Sequence, residues 1–427
     1  MTTRRYTAAE PTSPPADTAG VRADGLDRLA AHDKMVAMGV GHTHGSHRAR
    51  NGDAAGFVVG RRPRIVLLAA LVLAGIATVI GVVQLWPDGA EVDHIKDQVA
   101  FAAPGVTFPD AVVDAVHDSG TLDVTVQEGA GEGDRATVQV APQVVDALEV
   151  GDTVRLQRTP AQQGGDVQYG YFGTVRSIPL LVMALLFAAL VLVVARWRGF
   201  FALIGLAFSG VVIWKFMLPA LLTGASGLAV GLAGSALIMF VVLYMTHGLS
   251  IRTSTALAGT LAGVLVTAGL GVVAISATRA TGNADESAAI LQSLVGDLSF
   301  QGLFACAIVV AGLGVLNDVT ITQASSVWEI RAAAPTMSRP KVFASGMRIG
   351  RDHIASTIYT IVFAYAGTAL AVLLVLQLYG LPWSDLLTTE EVTEEIVRTL
   401  ASSIGLVLAV PLTTGIAALV VPGALSE

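Results

Sequence analysis

The chain is short of cysteine, charge and aromatic rings, and each shortage excludes something. Cys306 is the only cysteine in 427 residues. No intramolecular disulfide can therefore form, and neither a cysteine-pair metal site nor a redox pair exists. Charged residues are 14% of the sequence, where soluble domains carry about 25%. The net charge of −7 gives no case for nucleic-acid binding. Aromatics stop at 6%. No Walker A string, Gly-x-Ser-x-Gly elbow or His-Glu-x-x-His pair occurs. The expectation is a protein that is not an enzyme and needs no cofactor.

What the chain has is apolar bulk and glycine. Hydrophobic residues make up 53%, glycines number 45, and mean hydropathy is +0.66. A multi-pass membrane protein follows, with small residues letting helices approach closely in lipid. The motifs "GLAVG" (227–231) and "GTLAG" (259–263) have that small-xxx-small form.

The order along the chain is legible. Residues 1–63 read as a disordered cytoplasmic tail, low in apolar period. An apolar run over 65–85 has the length of one span, so 64–85 reads as the first membrane helix. Residues 86–177 alternate in β fashion through "TLDVTVQEG", "RATVQVAP" and "VGDTVRLQR", with "AGEGD" as a hairpin connection. They predict a small all-β, OB-like domain. Residues 178–427 return to membrane character, with spans expected over 179–195, 200–219, 227–244, 255–277, 302–321, 354–378 and 396–420. The fold class is thus a membrane all-α helical bundle of about eight helices with an extracytoplasmic β-domain between the first two. Ten Lys and Arg precede residue 65, and five more lie over 331–351. Eight spans put both segments on one side, and the basic bias makes that side cytoplasmic, with both termini there.

The polar residues inside the apolar segments are the candidate site. In "GVLNDVTITQASSVWE" no charge separates Asp297 from Asp318. At 100° per residue Asp318, Thr322, Ser325 and Glu329 fall within about 60° and form a stripe. Asn317, Thr320 and Gln323 add polarity on other sides of the same helix. Intramembrane ionisable groups mark pathways or relays, and helix-locking hydrogen bonds are the alternative. Asp352, Ser356 and Tyr359 share a face of the next span, beside His353, and Arg348 or Arg351 is placed to neutralise Asp318. Near the outer end of the last span Glu395 and Arg398 stand three apart and can pair. Ser402 and Ser403 follow, and Pro411 interrupts the ladder, with Thr413 and Thr414 beside it. Lys215 is expected to snorkel to the outer interface. His42, His44 and His47 of the tail form a weak metal-collecting candidate.

The strings "GLGVLNDVTITQASSVWEI", "GMRIGRDHIASTIYTIVFAYAG" and "EIVRTLASSIGLVLAVPLTT" resemble the YibE/F family of bacterial multi-pass membrane proteins. The resemblance covers roughly 64–420, and the tail lies outside it. It implies a bacterial cytoplasmic membrane location with the β-domain outside. The polar track points to a secondary transporter or permease for an ion or small solute, with proton coupling as one mode. The competing expectation is a non-transporting scaffold or envelope assembly factor whose β-domain binds a protein partner. The expected partners are otherwise the lipid bilayer and the transported solute, with no nucleic acid.

Overall fold

The structure is a computed structural model that describes residues 61–99, 101–161, 166–284, 286–295, 298–380 and 382–422. Most of the tail, including His42, His44 and His47, lies outside the described residues. Helix α1 (Arg61–Gln84) carries the first apolar run, and a short helix α2 (Gly89–Gln98) follows, capped by Asp88 through the Ala90 N–H at 2.9 Å.

Five antiparallel strands come next: β1 (Asp110–His117), β2 (Thr121–Val126), β3 (Arg135–Gln139), β4 (Thr153–Thr159) and β5 (Gln168–Thr174). A short helix, α3 (Pro142–Val145), joins β3 to β4. The sheet order is β3-β2-β1-β4-β5. Its two edges approach each other, and Tyr169 on β5 donates its hydroxyl to Asp134, just before β3, at 2.6 Å. The sheet is thereby barrel-like. Alternation supplies its core, because the inward residues of β1, β2 and β4 are Ala111, Val113, Leu122, Val124, Val126, Val154 and Leu156.

On β2, Asp123 accepts from the Thr137 hydroxyl at 2.6 Å and contacts the His117 ring at 2.8 Å. These contacts, the Thr137 bond first, hold its carboxyl below the ordinary 3.8. The depressed value means that the stabilising contribution is present above the ordinary carboxylate range. It is lost as pH falls through the lowered folded value. A carboxyl NMR titration should place the midpoint below 3.8, and Thr137→Val should return it toward that value.

The remainder is helical: α4 (Ser177–Val212), α5 (Gly227–His247), α6 (Ile251–Thr278), α7 (Glu286–Leu294), α8 (Phe300–Ala333), α9 (Arg339–Thr368), α10 (Leu370–Leu378), α11 (Trp383–Leu386) and α12 (Glu390–Val420). Serine caps open α6 and α8, Ser250 accepting from the Thr253 N–H and Ser299 from the Gly302 N–H, each at 3.1 Å.

Six of the described helices are long and apolar enough to cross a membrane, and α9 with α10 makes a seventh if that pair, bent by 61°, is one span. The difference from the expected count lies at 179–219. There α4, kinked at Arg196, runs on through a wide turn (Ile213–Met217) into Leu218–Leu222, so that 46 residues count as one candidate span. "ARWRGF" has no proline to end a helix, so hydrogen bonding resumes after one non-helical residue, Arg196, at φ 52° and ψ −131°. Helix α8 also outlasts its apolar run, because "TITQASSVWEIRAA" contains neither glycine nor proline.

Helix α8 is the centre of the bundle and packs against α5, α6, α9 and α12. Its apolar window is 56% buried, whereas none of that in α4 is. Both small-residue motifs pack within the chain. Gly227 lies on the backbone of Gly302, Gly231 on Cys306, Gly259 on Thr413 and Gly263 on Leu316 and Ala409.

Candidate functional site

The polar groups of the bundle sort into three places. The first is a seam between α6, α8, α9 and α12. The Thr260 and Thr320 hydroxyls join α6 to α8 at 2.6 Å. Gln323 donates to the Gly346 carbonyl of α9 at 2.9 Å and to the Thr414 hydroxyl of α12 at 2.7 Å. Most hydroxyls here bond back to a carbonyl one turn earlier, as Thr260 does to Ala256 at 3.0 Å and Thr414 to Val410 at 2.7 Å. Thr267 and Thr413 do not. Both are fully buried, and their hydroxyl oxygens have no partner among the described residues. Each packs against a glycine, Thr267 against Gly405 and Thr413 against Gly259.

The second place is a cavity of about 640 Å³ between α9, α10 and α12. Tyr365, Ala369 and Leu373 form one wall, and Glu394, Glu395 and Arg398 stand on the other. Arg398 Nη1 donates to Glu395 Oε2 at 2.7 Å, and its guanidinium lies 5.6 Å from the Phe304 ring centre. The α9–α10 break falls in this wall, since Ala369 is the residue between the two helices. Glu395 and Thr414 are 19 residues apart on α12, about 29 Å of helix, close to the thickness of a bilayer core.

The third place is the outward face of α8. Asp318 and Glu329 are exposed, and Thr322 and Ser325 are half-buried. Thr322 donates to the Asp318 main-chain carbonyl, which leaves the carboxylate out of the bond. Helical phase explains the division, because Thr320 and Gln323 lie about 140° or more from Asp318 and so enter the core. Asn317 is half-buried, with its side-chain oxygen unpartnered among the described residues.

On α9, Asp352, Ser356 and Tyr359 are exposed and His353 is half-buried. No ion pair among the described residues joins Asp318 to Arg348 or Arg351. Arg348 instead donates to Ser345 Oγ at 2.9 Å. Its neighbour Gly350 takes the face toward Gln323 and Val410, which turns the charged positions of α9 away from the seam. The track expected along Asp318, Thr322, Ser325 and Glu329 is therefore on the surface of the chain, while Thr320 and Gln323 are inside it.

Sequence reasoning passed over the α6 half of the seam. Its signal is the spacing Thr253, Thr260, Thr267, seven apart and so on one face of the helix. Among the described residues no group of three His, Cys, Asp or Glu side chains is placed to hold a metal ion.

A family model described as YibE/F-like protein matches residues 183–423. The match spans α4 to the end of α12 and leaves out α1 and the β-domain, so it is narrower than the resemblance over 64–420. No curated protein and no solved structure matches the chain.

Proposed function

We propose, for a chain that belongs to the YibE/F family, the activity of a secondary transporter or permease for an ion or small solute. The observation that carries this reading is the pair of buried hydroxyls on Thr267 and Thr413. A hydroxyl that only glued helices would spend its hydrogen on a carbonyl. On α12, Gly405 opposite Thr267 lies between the cavity residues and the Gln323 bridge, and Thr413 adjoins Thr414 of that bridge. Both hydroxyls are closed against glycine, so a passing polar group would reach them when the helices part. The broken α9–α10 pair beside Glu395 and Arg398 adds to it, since interrupted helices line transport sites.

The topology that goes with this function has eight spans. The two parts of the 177–222 segment, split at Arg196, are each long enough to cross, at 19 and 26 residues. Both termini are then cytoplasmic, the β-domain is extracytoplasmic, and the membrane is the bacterial cytoplasmic one. The strand order, closing β3 on β5, with a helix between β3 and β4, favours an OB-like barrel. A scaffold that only binds partners through its β-domain accounts for neither the hydroxyls nor the cavity.

The test uses valine, which keeps the shape of threonine and removes the hydroxyl. Thr267→Val and Thr413→Val should leave the protein no less stable, because no hydrogen bond is lost and a buried hydroxyl without a partner is itself unfavourable. Flux in reconstituted vesicles should fall by about tenfold or more. Unchanged flux across a broad panel of ions and small solutes, or no flux in the parent protein, overturns the reading.

A further inference from the structure

Three phenylalanines of the β-domain pack on one another at its surface instead of in its core. Phe108 lies 4.8 Å from Phe172 and 5.3 Å from Phe101, and Phe101 is 5.9 Å from Phe172, all between ring centres. Phe101 is 77% exposed and Phe172 48% exposed. The barrel core is complete without them.

Their place in the register is specific. Asp110 of β1 is opposite Arg155 of β4, which is opposite Gly173 of β5, so these three form one row across the sheet. Phe108 and Phe172 adjoin that row. It is where the chain enters β1 and leaves β5, and helix α4 begins at Ser177. Phe172 is five residues from Ser177, no more than about 17 Å even when fully extended. The opposite end of the barrel, at the His117–Thr121 hairpin, is about 23 Å away along β1.

We infer that Phe101, Phe108 and Phe172 seat the β-domain on the lipid surface, with their rings at the boundary between headgroups and acyl chains. The membrane is the occupant because the cluster is continuous with it. The last strand carrying a ring runs directly into a helix whose apolar window has a mean hydropathy of 3.0. A surface cluster of apolar rings held that close to a bilayer lowers its free energy by entering the interface. The effect would fix the barrel's end-on orientation relative to the bundle, whatever the bundle carries.

The full chain in lipid vesicles can test this. Cys306 is buried, so a Cys306→Ala background allows single labels elsewhere. A fluorophore at Glu128→Cys, beside Phe108 in a shallow hollow, keeps all three rings, and one at Ser119→Cys reports the far hairpin. Quenching by lipids spin-labelled near the headgroup should be about threefold or more stronger at 128 than at 119. Adding Phe101→Ser with Phe172→Ser should bring the 128 signal down to that at 119. Equal quenching at the two sites in the parent overturns the inference, as it would if a protein partner covered the rings. A difference that survives the double substitution also overturns it. Circular dichroism of the double variant checks that the barrel is intact.

Discussion

Gly227→Val should leave little recoverable folded protein. A Cβ at Gly227 would overlap the carbonyl oxygen, carbonyl carbon and Cα of Gly302. All three are main-chain atoms of α8, so no rotamer change relieves the overlap. Helix α5 must then move off α8 over a whole turn, which opens the Gly231–Cys306 contact one turn further along. Overpacking of an ordinary core costs about 1–3 kcal/mol. A backbone-to-backbone clash belongs at or above the top of that range, and a chain of 427 residues should then lose about 3 °C or more in Tm. Two controls isolate the cause. Gly302→Ala meets chiefly the Ser299 side chain at 3.0 Å rather than backbone, so it risks only the Ser299 cap and should be milder. Gly269→Ala meets nothing within 4 Å and should be neutral or slightly stabilising, since alanine is the better helix residue. Thermal unfolding of the three variants in one detergent gives the comparison.

How far this was legible in the sequence depends on which physical signal each feature leaves. Length and hydropathy are local, so the apolar runs now seen as α1, α5, α6, α8 and α12 could be read directly. Alternation and the "AGEGD" turn likewise gave the strands, and a three-residue spacing on one helix gave the Glu395–Arg398 pair, observed at 2.7 Å. Helix phase is also local, and it gathers Asp318, Thr322, Ser325 and Glu329 on one side. Which side faces the bundle is not local. That depends on Gly346 and Gly350 of α9 and on Gly259, Gly263 and Gly405 of α6 and α12, whose missing side chains let the helices close on Thr320 and Gln323. In the sequence the charged stripe is more conspicuous than the uncharged one that the packing buries. The break at Arg196 falls inside "ARWRGF", between the spans expected over 179–195 and 200–219, where two arginines and a glycine interrupt the apolar run.

Asp318→Leu should stabilise the protein in lipid and, if the carboxylate carries protons for transport, stop coupled flux. The depth of Asp318 comes from its neighbours. Thr260 bonds Thr320 and Gly263 faces Leu316, so Asp318 is level with about residue 261 of α6. That is eleven residues, about 16 Å, in from the Ser250 cap. At this level the carboxylate is exposed on the outside of the chain, and among the described residues it takes part in no ion pair. An ionised carboxylate costs about 2.5–3.5 kcal/mol at the centre of a membrane and less toward its edge. Leucine removes that cost and breaks no bond, so a gain of about 1–3 kcal/mol is expected, with Asp318→Asn giving less. The measurement belongs in bilayers, because detergent admits water to the same face. If the carboxylate carries protons for transport, both variants lose coupled flux while becoming no less stable. If Asp318 instead locks α8 to another helix, the sign reverses, because its partner would be left unsatisfied and Asp318→Leu would lower stability by about 1–3 kcal/mol. Stability and flux moving in opposite directions is therefore the signature of a group kept in the membrane for what it does rather than for what it holds together.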